Sequence, residues 1–221
     1  MDPKKPEISG MTIVLIGDFS PPIIQPAWLA ARGLIRDQEA EKAEIKIIHP
    51  EIVDLRMEWL SLNVTRNRFT ALTTQEPFFE PLRDLVHGIF SLLSQTPIGF
   101  MGINREMHYE MESEAAWHSF GHWLAPKDAW NDLLTKPGLQ NLTILSQRQD
   151  NYKGAVSVIV EPSTKIKYGV YFRVNDHYET SSPDQSSKSP EIAMAILKES
   201  WEDSNQRAEK IIHSLLEKRP R

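Results

Sequence analysis

The chain has 221 residues, 40% of them apolar and 25% charged, and its 25 basic side chains against 30 acidic ones leave a net charge of −5. A chain of this size removes roughly 70% of its unfolded surface from water, so it can build a core without disulfides or metals, and its composition excludes wholesale disorder. The acidic balance, with a pI near 5.8, argues against a general phosphate-binding surface and makes nucleic acid an unfavoured partner. Zero cysteines exclude thiolate nucleophiles, cysteine-ligated zinc and iron–sulfur clusters together. No apolar run approaches the ~18–20 residues of a membrane span, and the polar start MDPKKPE lacks a signal peptide's apolar region. A cytoplasmic protein without a membrane partner is expected.

Residues 11–16 (MTIVLI) form a short β-branched run that predicts a buried strand, stopped by Gly17 to Pro22. Pro26 opens a short helix over 27–35 that carries Trp28 and Leu29, and 44–49 (EIKIIH) predicts a further strand. Val53, Leu55, Met57 and Trp59 alternate with polar residues, and from Leu60 the phase flips. In one continuous strand that flip reads as a β-bulge. Arg66-Asn67 is a turn candidate, with 68–73 as the second arm of a hairpin. Leu82, Leu85, Val86, Ile89, Phe90 and Leu93 then step by three and four, which predicts an amphipathic helix over 77–94. A long strand over 98–111 follows, then helices over 113–124 and 126–134.

Strands are expected at 139–148, 155–161 and 165–175, and 179–189 (ETSSPDQSSKS) predicts a polar loop. Ser189 as N-cap and Pro190 in the first turn start the last helix. Its stripe of Met194, Leu197, Trp201, Ser204, Ala208, Ile211 and Leu215 predicts a helix of about 28 residues, roughly 42 Å. Such a stripe serves a helix lying across a sheet or a dimerising coiled coil. Runs of strands closed by helices give the fold class: α+β, a largely antiparallel sheet covered by amphipathic helices, with a long C-terminal helix. One domain over 1–221 is expected. Its candidate sub-units are 11–111 and 112–221, each a run of strands plus a covering helix.

The polar residues that need explaining concentrate between 98 and 127. In a strand, Met101, Ile103, Met107, Tyr109 and Met111 share one face with Arg105, while Asn104, Glu106, His108 and Glu110 share the other. A buried arginine needs a carboxylate or an opening, so Arg105 is either half of a core ion pair or an anchor for an anionic ligand. Asn104, His108 and His122 are the other candidate polar anchors. On a helix, Glu114, His118 and His122 fall at i, i+4 and i+8, where two imidazoles and a carboxylate could share a zinc ion. Ser119 stands where a metalloprotease would carry its general base. The same residues also suit a metal-free ligand site, or the solvated edge of a helix buried through Trp117, Phe120 and Trp123. His177 follows Asn175-Asp176 at an expected strand end, where a loop could aim it into a pocket.

Segments 62–74 (LNVTRNRFTALTT), 81–93 (PLRDLVHGIFSLL) and 96–109 (TPIGFMGINREMHY) together resemble a group of sporadically distributed bacterial proteins of unknown function. The resemblance rests on Asn67-Arg68-Phe69, on Gly102-Ile103-Asn104-Arg105 and on Pro21-Pro22-Ile23 between Phe19 and Trp28; the family's Arg-Tyr pair is missing. It covers about half the chain. It implies a bacterial, cytoplasmic α+β protein and transfers no catalytic residue.

Three functions remain as expectations. The first is non-enzymatic: binding a protein partner or a second copy, in an accessory, stress or defence-type system, with no cofactor. The second is a small-anion binder with a pocket between the sheet and the C-terminal helix. The third is a zinc-dependent hydrolase using Glu114, His118 and His122.

Overall fold

A computed structural model describes residues 5–180 and 190–218. Its centre is one nine-stranded sheet in the order β2-β3-β4-β5-β1-β6-β9-β8-β7, antiparallel throughout. The strands are β1 (Ile8–Gly17), β2 (Glu44–His49), β3 (Ile52–Arg56), β4 (Ser61–Thr65), β5 (Arg68–Thr73), β6 (Ile98–Glu110), β7 (Leu142–Gln147), β8 (Gly154–Pro162) and β9 (Gly169–Glu179). The helices are α1 (Pro26–Ala31), α2 (Asp37–Glu41), α3 (Phe79–Leu92), α4 (Glu114–Leu124), α5 (Pro190–Glu199) and α6 (Trp201–Glu217). None is long and apolar enough to cross a membrane.

The alternating pattern determines which face the helices cover. Met11, Ile13 and Leu15 of β1 lie level with Arg105, Ile103 and Met101 of β6, and all are buried under α3, α5 and α6. Leu82, Leu85, Val86, Ile89 and Phe90 form the buried stripe of α3, and Phe90 packs edge-on to Phe69 at 5.0 Å. A second cluster gathers Met107, Tyr109, Val160 and Phe172 under Phe120 of α4 and Ile212 of α6. The opposite face carries no helix among the described residues and presents Thr12, Asn104, His108, Asn175 and His177 instead.

Several elements differ from expectation for identifiable reasons. The phase flip at Leu60 is a chain reversal rather than a bulge. Met57 and Leu60 exchange backbone hydrogen bonds (2.7 and 3.3 Å), closing a tight turn between β3 and β4. The expected helix over 126–134 is a single 3-10 turn at Asp128–Trp130, and Trp130, Leu133 and Leu134 stay exposed. The third late strand starts at Gly169, not at 165. The Ser163 hydroxyl accepts the backbone N–H groups of Lys165 and Ile166 (both 3.1 Å), and Tyr168 adopts a left-handed φ of 54°. The terminal helix breaks at Ser200 into α5 and α6, and its buried stripe shifts from Ile211 and Leu215 to Ile212 and Leu216. That shift follows the 3.6-residue period, and the stripe is spent on the sheet rather than left as a free seam. The expected polar loop and the Ser189 cap fall, apart from Glu179 and Thr180, outside the described residues.

Candidate functional site

The predicted site residues divide among three places. Arg105 lies on the helix-covered face, 5% exposed. Its Nη1 donates to Ser9 Oγ (2.5 Å) and to the Gly10 carbonyl (3.1 Å), and its guanidinium lies 4.5 Å from the Phe79 ring. Nη2 stands 4.0 Å from Glu76 and 3.9 Å from Glu209, beyond hydrogen-bond reach, and faces a cavity of about 560 Å³ between α3 and α6. Glu76, Glu80, Glu202 and Glu209 surround that cavity, so its field opposes an anion. Beneath it, burial pushes the Tyr109 hydroxyl up to about 12.

Asn104 and His108 occupy the other face and do not join Arg105. The Asn104 amide donates to the carbonyls of Thr12 (3.2 Å) and Gly102 (3.4 Å). His108 Nδ1 lies 2.8 Å from Ser163 Oγ. That hydroxyl already accepts two backbone N–H groups, so its own proton goes to Nδ1; with both oxygen lone pairs engaged, the contact pins a turn and leaves no lone pair for attack. Burial, and then Lys165, lower the His108 pKa. His177 stands inside β9, not at a strand end, and stacks on Phe100 at 5.5 Å.

The third place is α4. Ser113 caps its N-terminus by accepting the Ala116 N–H at 3.1 Å, and the Trp117 indole donates to the Gly169 carbonyl at 3.0 Å, docking the helix on β9. At the other end the Lys127 ammonium donates to the Gly121 and Ala125 carbonyls, two acceptors of the last turn. His122 Nδ1 accepts the Lys127 backbone N–H (3.3 Å), which leaves Nε2 facing Asp128 at 3.5 Å. His118 Nε2 turns instead to Glu114 at 3.8 Å, and Glu114 also accepts the Tyr168 hydroxyl at 2.8 Å. The two imidazoles therefore engage different carboxylates, and no cluster of three or more His, Cys, Asp or Glu poised for a metal ion occurs among the described residues.

Between α4, the 127–139 segment and the ends of β8 and β9 lies a cavity of about 510 Å³. Trp117, Phe120, Leu139, Val160 and Val170 form its apolar walls. His118, His122, Lys127, Lys136 and Glu161 supply its polar groups. Beside it the sheet ends in β7, whose Leu142 pairs with Val160. Comparison with models of known protein families and with curated proteins finds no match.

Sequence reasoning missed the edge position of β7, the Lys136 corner of the cavity and a buried ion cluster of Arg148, Asp150, Asp176 and Arg207. Its ion pairs join positions as far as 57 apart (Asp150 with Arg207), and of the four only Arg148–Asp150 is close in sequence.

Proposed function

We propose that the chain acts by protein–protein association, taking an added strand along β7, with a second copy of itself as the partner. The observation that carries this is the contrast between the two sheet edges. β7 reads LTILSQ, with no charge and no proline, in unbroken register with β8, and it exposes Ile144 (55%) on one face and Leu145 (72%) on the other. A regular apolar edge with unpaired backbone groups is a template for another strand. β2 also exposes Ile45, Ile47 and Ile48, but Lys46 breaks its register against β3 and Glu44 and His49 stand at its ends, so it is the less regular template.

Self-pairing suits β7 as well. An antiparallel two-fold partner centred on Ile144 sets Ile144 against Ile144 and Thr143 against Leu145, with no like charges opposed. The same operation centred on Lys46 of β2 would oppose two ammonium groups.

Sedimentation velocity across about 1–100 μM tests the reading. The expected result is a dimer that Leu145→Lys and Ile144→Pro each convert to a folded monomer. A wild-type monomer across that range, or a dimer indifferent to both substitutions, would refute it.

A further inference from the structure

We infer that the cavity beside α4 binds a small apolar carboxylic acid, an aromatic or medium-chain aliphatic acid, with its ring or chain against Trp117 and Phe120 and its carboxylate at Lys136. This site is independent of the β7 edge.

Its volume, about 510 Å³, falls within the ~300–1,000 Å³ of small-molecule sites, and apolar walls with a few polar groups at the mouth are the usual composition of such sites. The walls come from three elements held rigidly together. Trp117 is tied to the Gly169 carbonyl, Phe120 packs edge-on to Phe172 at 6.0 Å, and Val160 and Val170 belong to paired strands. Gly121 adds no side chain on the α4 side, and a Cβ built there would meet only Leu139 Cβ, at 3.6 Å. Part of the space therefore exists because α4 has glycine where it could carry a side chain.

The charge of the lining selects the ligand's sign. The protein as a whole has a net charge of −5, yet two lysines line this cavity and neither forms an ion pair with a carboxylate among the described residues. Lys127 is spent on the carbonyls at the end of α4. Lys136 has no such use. It occupies a left-handed φ of 53°, which is costly for a lysine, immediately before Pro137 and Gly138. Glu161, the lining carboxylate, is held by the Asn141 amide. A lysine lining an apolar cavity, with no ion pair among the described residues, matches a molecule with an apolar body and one carboxylate.

Isothermal titration with 2-naphthoate, with decanoate, and with the uncharged 2-naphthylmethanol and the cationic 2-naphthylmethylamine tests the assignment. The acids should bind one per chain, naphthoate at least about tenfold tighter than the alcohol, with no binding of the amine. Lys136→Asn removes the charge and suits the left-handed backbone. It should weaken naphthoate about tenfold without lowering the melting temperature, while Lys136→Arg retains binding. Gly121→Phe, which projects a ring into the space, should abolish binding of both acids, with the far-ultraviolet spectrum confirming a folded chain. No saturable binding of either acid up to about 2 mM would overturn the inference. So would an amine that binds as tightly as the acid, or an affinity that Lys136→Asn or Gly121→Phe leaves unchanged.

Discussion

The buried ion cluster allows the sharpest test of how this core is held. Asp176 is 1% exposed, and its Oδ1 accepts Arg148 Nη1 at 2.9 Å while its Oδ2 accepts from Arg207 of α6. Arg148 is as deeply buried, lies 3.8 Å from the Tyr178 ring and makes a forked contact with Asp150, through Nε at 2.9 Å and through Nη2. Two cations and two carboxylates balance. Asp176→Ala would leave a net positive charge in the interior and free the hold of α6 on the sheet. Breaking a buried pair costs about 3–5 kcal/mol. The low end applies here, about 3 kcal/mol, because Asp150 keeps its grip on Arg148 and the partly exposed Arg207 can turn to water. For a chain of this length that is roughly 6–12 °C in melting temperature. Urea melts followed by tryptophan fluorescence would measure it, with Asp150→Ala, at a part-exposed position, expected near 1 kcal/mol. Adding Arg148→Met to Asp176→Ala should recover about 1 kcal/mol or more by removing the stranded charge. A loss below about 1 kcal/mol for Asp176→Ala, or no recovery in the double variant, would refute the argument.

Two glycines should respond in opposite directions to alanine. Gly121→Ala in α4 meets only an ordinary contact with Leu139 and should raise stability by about 0.5–1 kcal/mol in thermal melts. Gly154→Ala forces a Cβ to within 2.0 Å of the His177 carbonyl at a φ of 134° and should cost about 2 kcal/mol or more, read from the same melts. His108 gives a pH signature. Burial holds its pKa below the ordinary value, so the neutral form's contribution is complete above about pH 6.5 and is lost as the pH falls below it. Wild type should therefore lose stability relative to His108→Gln as the pH falls below about 6.5, and parallel pH profiles would contradict this.

Where one face of a strand is buried and the other is not, the alternation was readable. Val156, Val158 and Val160 of β8, and Val170, Phe172 and Val174 of β9, all point toward the helices as their spacing predicts. The α+β class, the antiparallel sheet and the stripe of α3 followed from the same periodicities. Failures came where a turn copied the strand pattern. Met57, Trp59 and Leu60 are buried inside a reversal, and Ile166 and Tyr168 alternate within a loop pinned by Ser163. At the candidate sites, Arg105 was visible as a charge on an apolar face, but Ser9 and Gly10, which hold it, are about ninety-five positions away. Which strands end up at the sheet edge depends on connections the pattern does not encode, so β7 read as one strand among three.

The topology explains why the buried charges fall where they do. β1 is followed by the run β2 to β5, whose last strand returns beside it and leads into α3. β6 is followed by β7 to β9, whose last strand likewise returns beside it and leads into α5. β1 and β6 pair with each other at the centre, so the chain before β6 and the chain from β6 onward each run out from the middle of the sheet to an edge and back. Counted from their first residues, Met11 of β1 matches Met101 of β6, Ile13 matches Ile103 and Leu15 matches Arg105. The neighbouring strands then match Ala71 with Asp176, since each lies opposite its central isoleucine. In the first half both positions are apolar core; in the second both are charged and buried. Asp176 is paired through both oxygens and ties α6 to the sheet, whereas Arg105, which also lines a cavity, has Nη2 beyond hydrogen-bond reach of Glu76 and Glu209. A buried charge where the other half has an apolar side chain carries a desolvation cost that only its partners offset. The first half therefore fills with apolar side chains the two positions at which the second half holds a buried base and a buried acid.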